Sequence, residues 1–202
     1  MACTSNGMLL VISGPSGVGK TTIVREVERR LGGCFSVSAT TRPKAAGEVD
    51  GRDYFFISQE QFDGMVARGE FLEYARVFGK HCYGTPRKPV EDRMREGKMV
   101  ILDIDVQGAQ QVKRAMPQAY AVFILPPSEE ELLRRLRDRG RDDEGAIQRR
   151  FAEAKSEIAF ARTSDCYDDF IVNDDLPAAI DAVCEMVAAR RDRTSTNERA
   201  NT

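Results

Sequence analysis

The sequence has no tryptophan and a single histidine, His81, among 202 residues. Its five cysteines (Cys3, Cys34, Cys82, Cys166 and Cys184) are scattered, odd in number and never spaced as a CxxC pair. A zinc site or a disulfide framework therefore has no ligand set to draw on, and a reducing compartment is the expected setting. His81, beside Gly79-Lys80 in a predicted turn, is given no metal or catalytic role. Charge of one sign is also missing. Thirty basic side chains face 32 acidic ones, a net −2, so nothing global points to nucleic acid or to a membrane surface. The first apolar run, Met8–Ser13, is too short to span a bilayer, and no basic segment precedes it as in a secretory leader. The expected location is the cytoplasm. No internal repeat is present. A hydrophobic content of 42 % suffices for one compact domain with inserted lobes. The polar tail, 191–202, has no apolar period and is expected to be disordered.

What is there starts at residue 14, in the run Gly14-Pro15-Ser16-Gly17-Val18-Gly19-Lys20-Thr21. Gly, four residues, Gly-Lys-Ser/Thr is the spacing of a phosphate-binding loop. Glycines let successive amides turn inward toward phosphate oxygens. Lys20 adds a mobile charge for the outer phosphates, and Thr21 a hydroxyl for Mg²⁺. The context agrees: the apolar run 8–12 reads as a buried strand. Ile23, Val24, Val27 and Leu31 then form a helical stripe, stopped by Gly32-Gly33. A helix starting near Lys20 turns its positive end toward the same anion.

Further apolar runs recur at 99–102, ending in Asp103-Ile104-Asp105, at 120–125, ending in Pro126-Pro127, and at 170–172, ending in Asn173-Asp174-Asp175. Each reads as a strand buried on both faces, with helical stretches between. That predicts an α/β fold: a parallel sheet in a three-layer core, with ligands at the carboxyl ends of its strands. The phosphate loop, Asp103 and Asn173 all fall at such ends. Asp103 is placed to hold the metal or its waters, the alternative being a strand-terminal surface acid.

Residues 35–97 differ. Alternation at 35–38, an aromatic and β-branched run at 54–57 and a strand candidate at 71–78 predict a small mixed lobe. Ser58-x-x-Gln61 reads as a helix start, and Pro86 suits the first turn of another helix. Within this stretch, Ser38-Ala39-Thr40-Thr41-Arg42 offers hydroxyls and an arginine suited to a monoester phosphate. A β-turn with a solvated arginine is the plain alternative. A third region opens with Ser128-Glu129-Glu130-Glu131, a capping box. Seven arginines against four acids then lie within 134–150: Arg134, Arg135, Arg137, Arg139, Arg141, Arg149 and Arg150. A solvated helical face would explain them. With a triphosphate nearby, a lid that closes over it explains them better.

At this point the sequence resembles the guanylate kinases. The matching stretches are the loop at 14–21, Ser36-Val-Ser-Ala-Thr-Thr-Arg42, Gly47-Glu-Val-Asp-Gly-Arg-Asp-Tyr54, Phe71-Leu-Glu73, Tyr83-Gly-Thr85, Ile101-Leu-Asp-Ile-Asp-Val-Gln-Gly108, Ile124-Leu-Pro-Pro-Ser128, Arg135-Leu-Arg-Asp-Arg-Gly140 and Ile171-Val-Asn-Asp-Asp175. They run in family order over about 8–187.

The resemblance implies a phosphate-loop kinase core (1–36, 98–127 and 159–190), an inserted mixed α+β GMP-binding lobe (37–97) and a helical lid (128–158). It implies transfer of the γ-phosphoryl group of ATP to GMP and dGMP, giving ADP and GDP, with Mg²⁺. The implied partners are these small molecules, with no nucleic acid and no membrane; a homodimer is compatible with the chain. The implied ATP site is Gly14, Pro15, Ser16, Gly17, Val18, Gly19, Lys20, Thr21 and Thr22 with Arg135, Arg139 and, near the adenine, Asn173. Ser38, Arg42, Tyr54 and Tyr83 are implied to hold the GMP phosphate. Glu73 is implied to face the guanine, assisted by Thr85 and Asp103, while Arg150 comes from the lid side. Lys20, Arg42, Arg139 and Arg150 are implied to be catalytic, and Thr21 and, through water, Asp103 to serve the metal.

Guanine presents N1–H and a 2-amino group side by side, two donors that one carboxylate accepts together. Adenine lacks both and would leave Glu73 unpaired. One departure stands out. The family usually carries a second arginine three residues after the one at Arg42, and here that position is Ala45. Lys44 is near but cannot form a bidentate fork. A non-catalytic module of the same fold is the rival reading, and the intact Lys20, Thr21, Arg139 and Arg150 argue against it. The chain has no Asn-Lys-x-Asp signature of a GTPase switch.

Overall fold

A computed structural model describes residues 7–77, 80–138, 140 and 143–200, with backbone only at 77 and 194–200. The chain folds around a five-stranded, wholly parallel sheet. Its spatial order is β2 (Cys34–Phe35), β7 (Met99–Asp103), β1 (Met8–Ser13), β8 (Tyr120–Leu125) and β9 (Asp169–Val172). The apolar runs at 8–12, 99–102 and 120–125 are the central strands, buried as predicted, but the run at 170–172 is the edge strand β9, which buries only Ile171 and leaves Phe170 and Val172 exposed because no described strand pairs beyond it. Side chains of the central strands alternate between two cores, as a period of two requires. Leu9, Val11, Val100, Leu102, Ala121 and Phe123 face one core, completed by helix α3 (Arg87–Arg95), α4 (Val106–Ala115) and the C-terminal half of α6 (Glu144–Thr163). Leu10, Ile12, Met99, Ile101, Val122 and Ile124 face the other, completed by Ile23, Val24 and Val27 of α1 (Lys20–Leu31) and by Ala179, Ile180, Val183 and Val187 of α7 (Leu176–Ala200). Helices on both faces of a parallel sheet make the expected three layers.

Helix α1 ends where predicted, with Gly32 left-handed at φ 67° and its amide donating to Glu28 O. The chain leaves the core after Ser36, whose amide donates to Ile101 O. It builds a second, mixed sheet: β4 (Phe55–Phe56), β3 (Ala39–Thr40), β6 (His81–Pro86) and β5 (Phe71–Val77). Only β3 and β4 pair in parallel there. A small core of Ala39, Phe62, Phe71 and Cys82 underlies this sheet, beneath α2 (Gln59–Ala67). Ser58 caps α2 with the predicted reciprocal box to Gln61. Pro86 closes β6 and stands at the N-cap of α3 rather than inside it. Phe78 and Gly79, the end of the predicted strand and half of its turn, lie outside the described residues.

The helical pair α5 (Glu129–Asp138) and α6 packs through Leu132, Leu136, Ile147 and Ala154. Ser128 Oγ accepts from the Glu131 amide at 3.1 Å, one half of the predicted capping box, while the Glu131 carboxylate turns instead to Arg134 and Arg135. The tail differs from expectation. Composition predicts disorder from 191, but α7 continues through Ala200. Val187 is its last fully buried apolar anchor. Beyond it, Arg190 stacks over the Tyr120 ring at 5.4 Å and Arg191 donates to Leu31 O at 3.4 Å.

Candidate active site

The loop after β1 is shaped by its glycines. Gly14 (φ 148°) lies so close to β8 that a Cβ there would sit 2.5 Å from Ile124 O. Gly19 (φ 96°) is the left-handed N-cap of α1, and a Cβ there would sit 2.7 Å from Asn173 Nδ2. The loop walls a cleft of about 450 Å³. Gly14, Pro15, Ser16, Gly17, Gly19, Lys20, Thr21 and Thr22 line it, opposite Asp103, Ile104, Asp105 and Glu157. Val18 is the exception within the motif, its side chain fully buried in the core beneath. Lys20 Nζ donates to Gly14 O and, at 3.3 Å, to Pro15 O, so the ammonium lies over its own loop. Behind the loop, Tyr167 Oη donates to Ser13 Oγ at 3.0 Å.

The carboxylates opposite have distinct surroundings. Asp103, at the end of β7, has its pKa raised by burial, with Lys20 opposing. Asp105 Oδ1 accepts from the Gly108 amide at 2.8 Å and caps α4. The Glu157 carboxyl is pushed up to about 7 by burial, again with Lys20 opposing.

Asn173 ends β9 beneath the loop and is 3 % exposed. Its Nδ2 donates to Val18 O at 2.7 Å, while Oδ1 has no hydrogen-bond partner. Its backbone oxygen accepts from Arg135 Nη1 at 3.0 Å. Asn173 thus ties the phosphate loop to α5.

The mixed sheet gathers a second group. Glu73 and Thr85 are cross-strand partners on β5 and β6. Thr85 Oγ1 donates to Glu73 Oε1 at 2.6 Å, and both residues are buried. Burial raises the Glu73 pKa, the Thr85 hydrogen bond opposing it and Asp105 adding to it. The other carboxylate oxygen, Oε2, lies 3.1 Å from where a Cβ on Gly108 would be, so α4 packs closely against this carboxylate. Nearby, the rings of Tyr54 and Tyr83 meet edge to face at 5.8 Å. The Arg42 guanidinium stacks over Tyr54 at 5.5 Å and Phe56 at 5.7 Å. Its Nη2 donates to Glu48 Oε1 at 2.6 Å. That bond raises the Arg42 pKa further and lowers that of Glu48. Desolvation also lifts the Tyr54 phenol. Ser38 leads into β3, its carbonyl accepting from the Phe55 amide at 2.9 Å.

A phosphate loop on a parallel sheet, beside a lobe with a buried carboxylate and an arginine–tyrosine cluster, invites comparison with known proteins. The family model described as guanylate kinase matches residues 6–190. The chain belongs to the guanylate kinase family. It is 54 % identical over 176 residues to the guanylate kinase of Gloeobacter violaceus, covering 87 % of this chain and 84 % of that one. It is 49 % identical over 186 residues to that of Carboxydothermus hydrogenoformans, covering 92 % and 89 %. Among solved structures, the guanylate kinase of Anaplasma phagocytophilum superposes with a TM-score of 0.69 at 35 % identity, covering 93 % of this chain and 88 % of the other.

Within that family frame, no arginine of α5 or α6 is among the described residues that line the loop cleft. Arg134 pairs with Glu131 and Asp138, and Arg137 with Glu144. Arg135 is held between Glu131, at 2.7 Å, and Asn173 O. Arg150 does not line the cleft, and Arg139 lies outside the described residues. At the departure from the family pattern, the Ala45 amide donates to Glu48 Oε2 at 2.7 Å. Glu48 therefore grips both Arg42 and the backbone at the position where a second arginine is usual. Sequence reasoning missed Glu157. Its one available signal was spacing: it follows Arg150 by seven residues, two turns along the same helix face.

Proposed function

We propose that the chain transfers the γ-phosphoryl group of ATP to GMP, and to dGMP, giving ADP and GDP. Its family makes it a nucleotide-binding transferase of purine metabolism. The observation that carries the acceptor is Glu73: a carboxylate 7 % exposed, held on one oxygen by Thr85, in the lobe beside the phosphate-loop cleft. Burial makes an unpaired carboxylate costly there. The N1–H and 2-amino donors of guanine supply the missing partners, and adenine does not.

The other roles follow from position. Loop amides and Lys20 cradle the donor phosphates. The Arg42, Tyr54 and Tyr83 cluster, with Ser38, takes the acceptor phosphate. Arg42 is now paired with Glu48, so an incoming phosphate replaces one anion by a more highly charged one. Hard oxygen donors fit Mg²⁺: the Thr21 hydroxyl and the Asp103 carboxylate face one cleft. No group of three His, Cys, Asp or Glu among the described residues could hold an ion. That suits a metal that draws most ligands from phosphate and water. When bound, Mg²⁺ neutralises charge on the transferring phosphates. Arg135, Arg139 and Arg150 would add cations as α5 and α6 close, and exclude water from the reacting group. No general base is needed, because a monophosphate is already an anionic nucleophile and alignment supplies much of the rate.

Among the described residues, Cys34, Cys82, Cys166 and Cys184 are all free thiols, in keeping with the proposed cytoplasmic setting. No helix there is long and apolar enough to cross a membrane. Phosphorus NMR of the chain with ATP, Mg²⁺ and GMP tests the reaction. GDP and ADP should grow in equal amounts without inorganic phosphate. Phosphate release in place of GDP would overturn the assignment.

A further inference from the structure

Glu157 enters the phosphate-loop cleft from the wall opposite the loop. It is carried by α6, a 20-residue helix that joins two regions. The first half of α6 packs on α5 through Ile147 and Ala154, and Ala161 near its end is buried in the central core. Arg150 and Glu157, two turns apart on one face, are separated along the axis by about 10 Å. The cleft that Glu157 lines has an unusual charge balance. Among the described residues, three carboxylates, Asp103, Asp105 and Glu157, line it with one cation, Lys20. Two have other work. Asp105 caps α4, and Asp103 stands at the end of β7 where a metal would be served. Glu157 is half-buried and faces Lys20, Asp105 and the exposed Glu153. Burial raises its pKa, as expected of an acid held in an acidic cleft for reasons other than stability.

A carboxylate beside a polyanion site is repulsive unless another cation intervenes. Repulsion against the wrong ligand is a recognised source of specificity. We infer that Glu157 is a specificity-determining residue that disfavours a nucleoside triphosphate arriving without a divalent cation, so that the donor cleft accepts the metal complex and rejects the free nucleotide. This rests on the donor reading of the phosphate loop. With the metal present, its charge screens Glu157 from the phosphates. Without it, the triphosphate meets Glu157 directly, with Lys20 the one described cation lining the cleft before α5 and α6 close.

The test is ATP binding by calorimetry at pH 8, without GMP and so without turnover, once in excess Mg²⁺ and once in EDTA. Glu157→Gln should bind metal-free ATP about tenfold tighter than the unmodified chain, and the Mg²⁺ complex within about twofold of it. Glu157→Asp, which keeps the charge, should stay within about threefold of the unmodified ratio between the two conditions. Glu153→Gln, one turn away and exposed, should leave that ratio unchanged. An unchanged ratio in Glu157→Gln would overturn the inference. So would an equal shift in Glu153→Gln, which would mean a diffuse field, or a Glu157→Asp that behaves like the glutamine. Failure of the unmodified chain to bind the Mg²⁺ complex at all would overturn the donor reading, and this inference with it.

Discussion

The donor cleft and the acceptor lobe are built in different ways. The donor cleft is made largely of backbone, one contiguous loop pinned between β1, β8 and α1, with Gly14 and Gly19 allowing approaches that any side chain would block. The acceptor lobe is made of side chains brought together across a small sheet: Glu73 from β5, Thr85 and Tyr83 from β6, Arg42 and Tyr54 from the flanks of β3 and β4. One site rests on a deep core. The other rests on four buried apolar residues and already satisfies part of its chemistry internally, through the Arg42–Glu48 pair. A backbone site is specified by local spacing and binds any polyphosphate. A side-chain site is specified by the fold and selects one base.

Breaking the donor side should have the largest effect. Lys20→Ala should lower kcat about 10²- to 10³-fold with the fold intact, measured as steady-state ADP release alongside circular dichroism. A drop of less than about tenfold would mean that the loop amides suffice. Next comes the acceptor base. Glu73→Gln places an amide donor against guanine donors and should lower kcat/KM for GMP at least about 30-fold, or 2 kcal/mol, with a far smaller change in the KM for ATP. Equal losses for both substrates would point to a structural defect instead.

Arg42→Ala should raise the KM for GMP about tenfold, because Ala45 leaves no second fork to share the phosphate. A change under about threefold would sink that idea. The reverse substitution sharpens it: Ala45→Arg should lower the KM for GMP by about threefold. The smallest effect concerns stability. The pKa of Glu157 in the folded chain, about 7, lies above the 4.5 of an ordinary glutamate. The folded chain therefore binds more protons than the unfolded chain between those values, and its stability falls as pH rises through them. Glu157→Gln, uncharged throughout, should match the unmodified Tm near pH 4 and exceed it by about 2–4 °C at pH 8. A constant difference would show that the carboxylate is not strained by burial.

The same contrast governs what was legible in the sequence. The phosphate loop and central strands were readable because each is a local pattern: one octapeptide, and apolar runs such as 99–102 buried on both sides. Helix ends at Gly32, Ser58 and Ser128 were readable for the same reason. The lobe was less so. β3 and β4 are two residues long, and only their tertiary pairing defines them. No local signal joined Glu73 to Thr85 or set Glu48 against Arg42; resemblance to a family supplied the functional residues, and the fold supplied Glu48. Beyond its seven-residue spacing from Arg150, nothing in the sequence marked Glu157, because its importance lies in what β7 and the loop place opposite it. The continuation of α7 past 191 was missed because composition registers the lack of a core but not the persistence of helical hydrogen bonds.

The acceptor role of Glu73 is decided by the selectivity of the unmodified chain: kcat/KM for GMP and for AMP, with ATP and Mg²⁺ fixed. Turnover with GMP should be seen, with a preference over AMP of about 10³ or more, because adenine leaves the buried Glu73 carboxylate unpaired. No turnover with GMP, or AMP within about tenfold of it, would contradict that role.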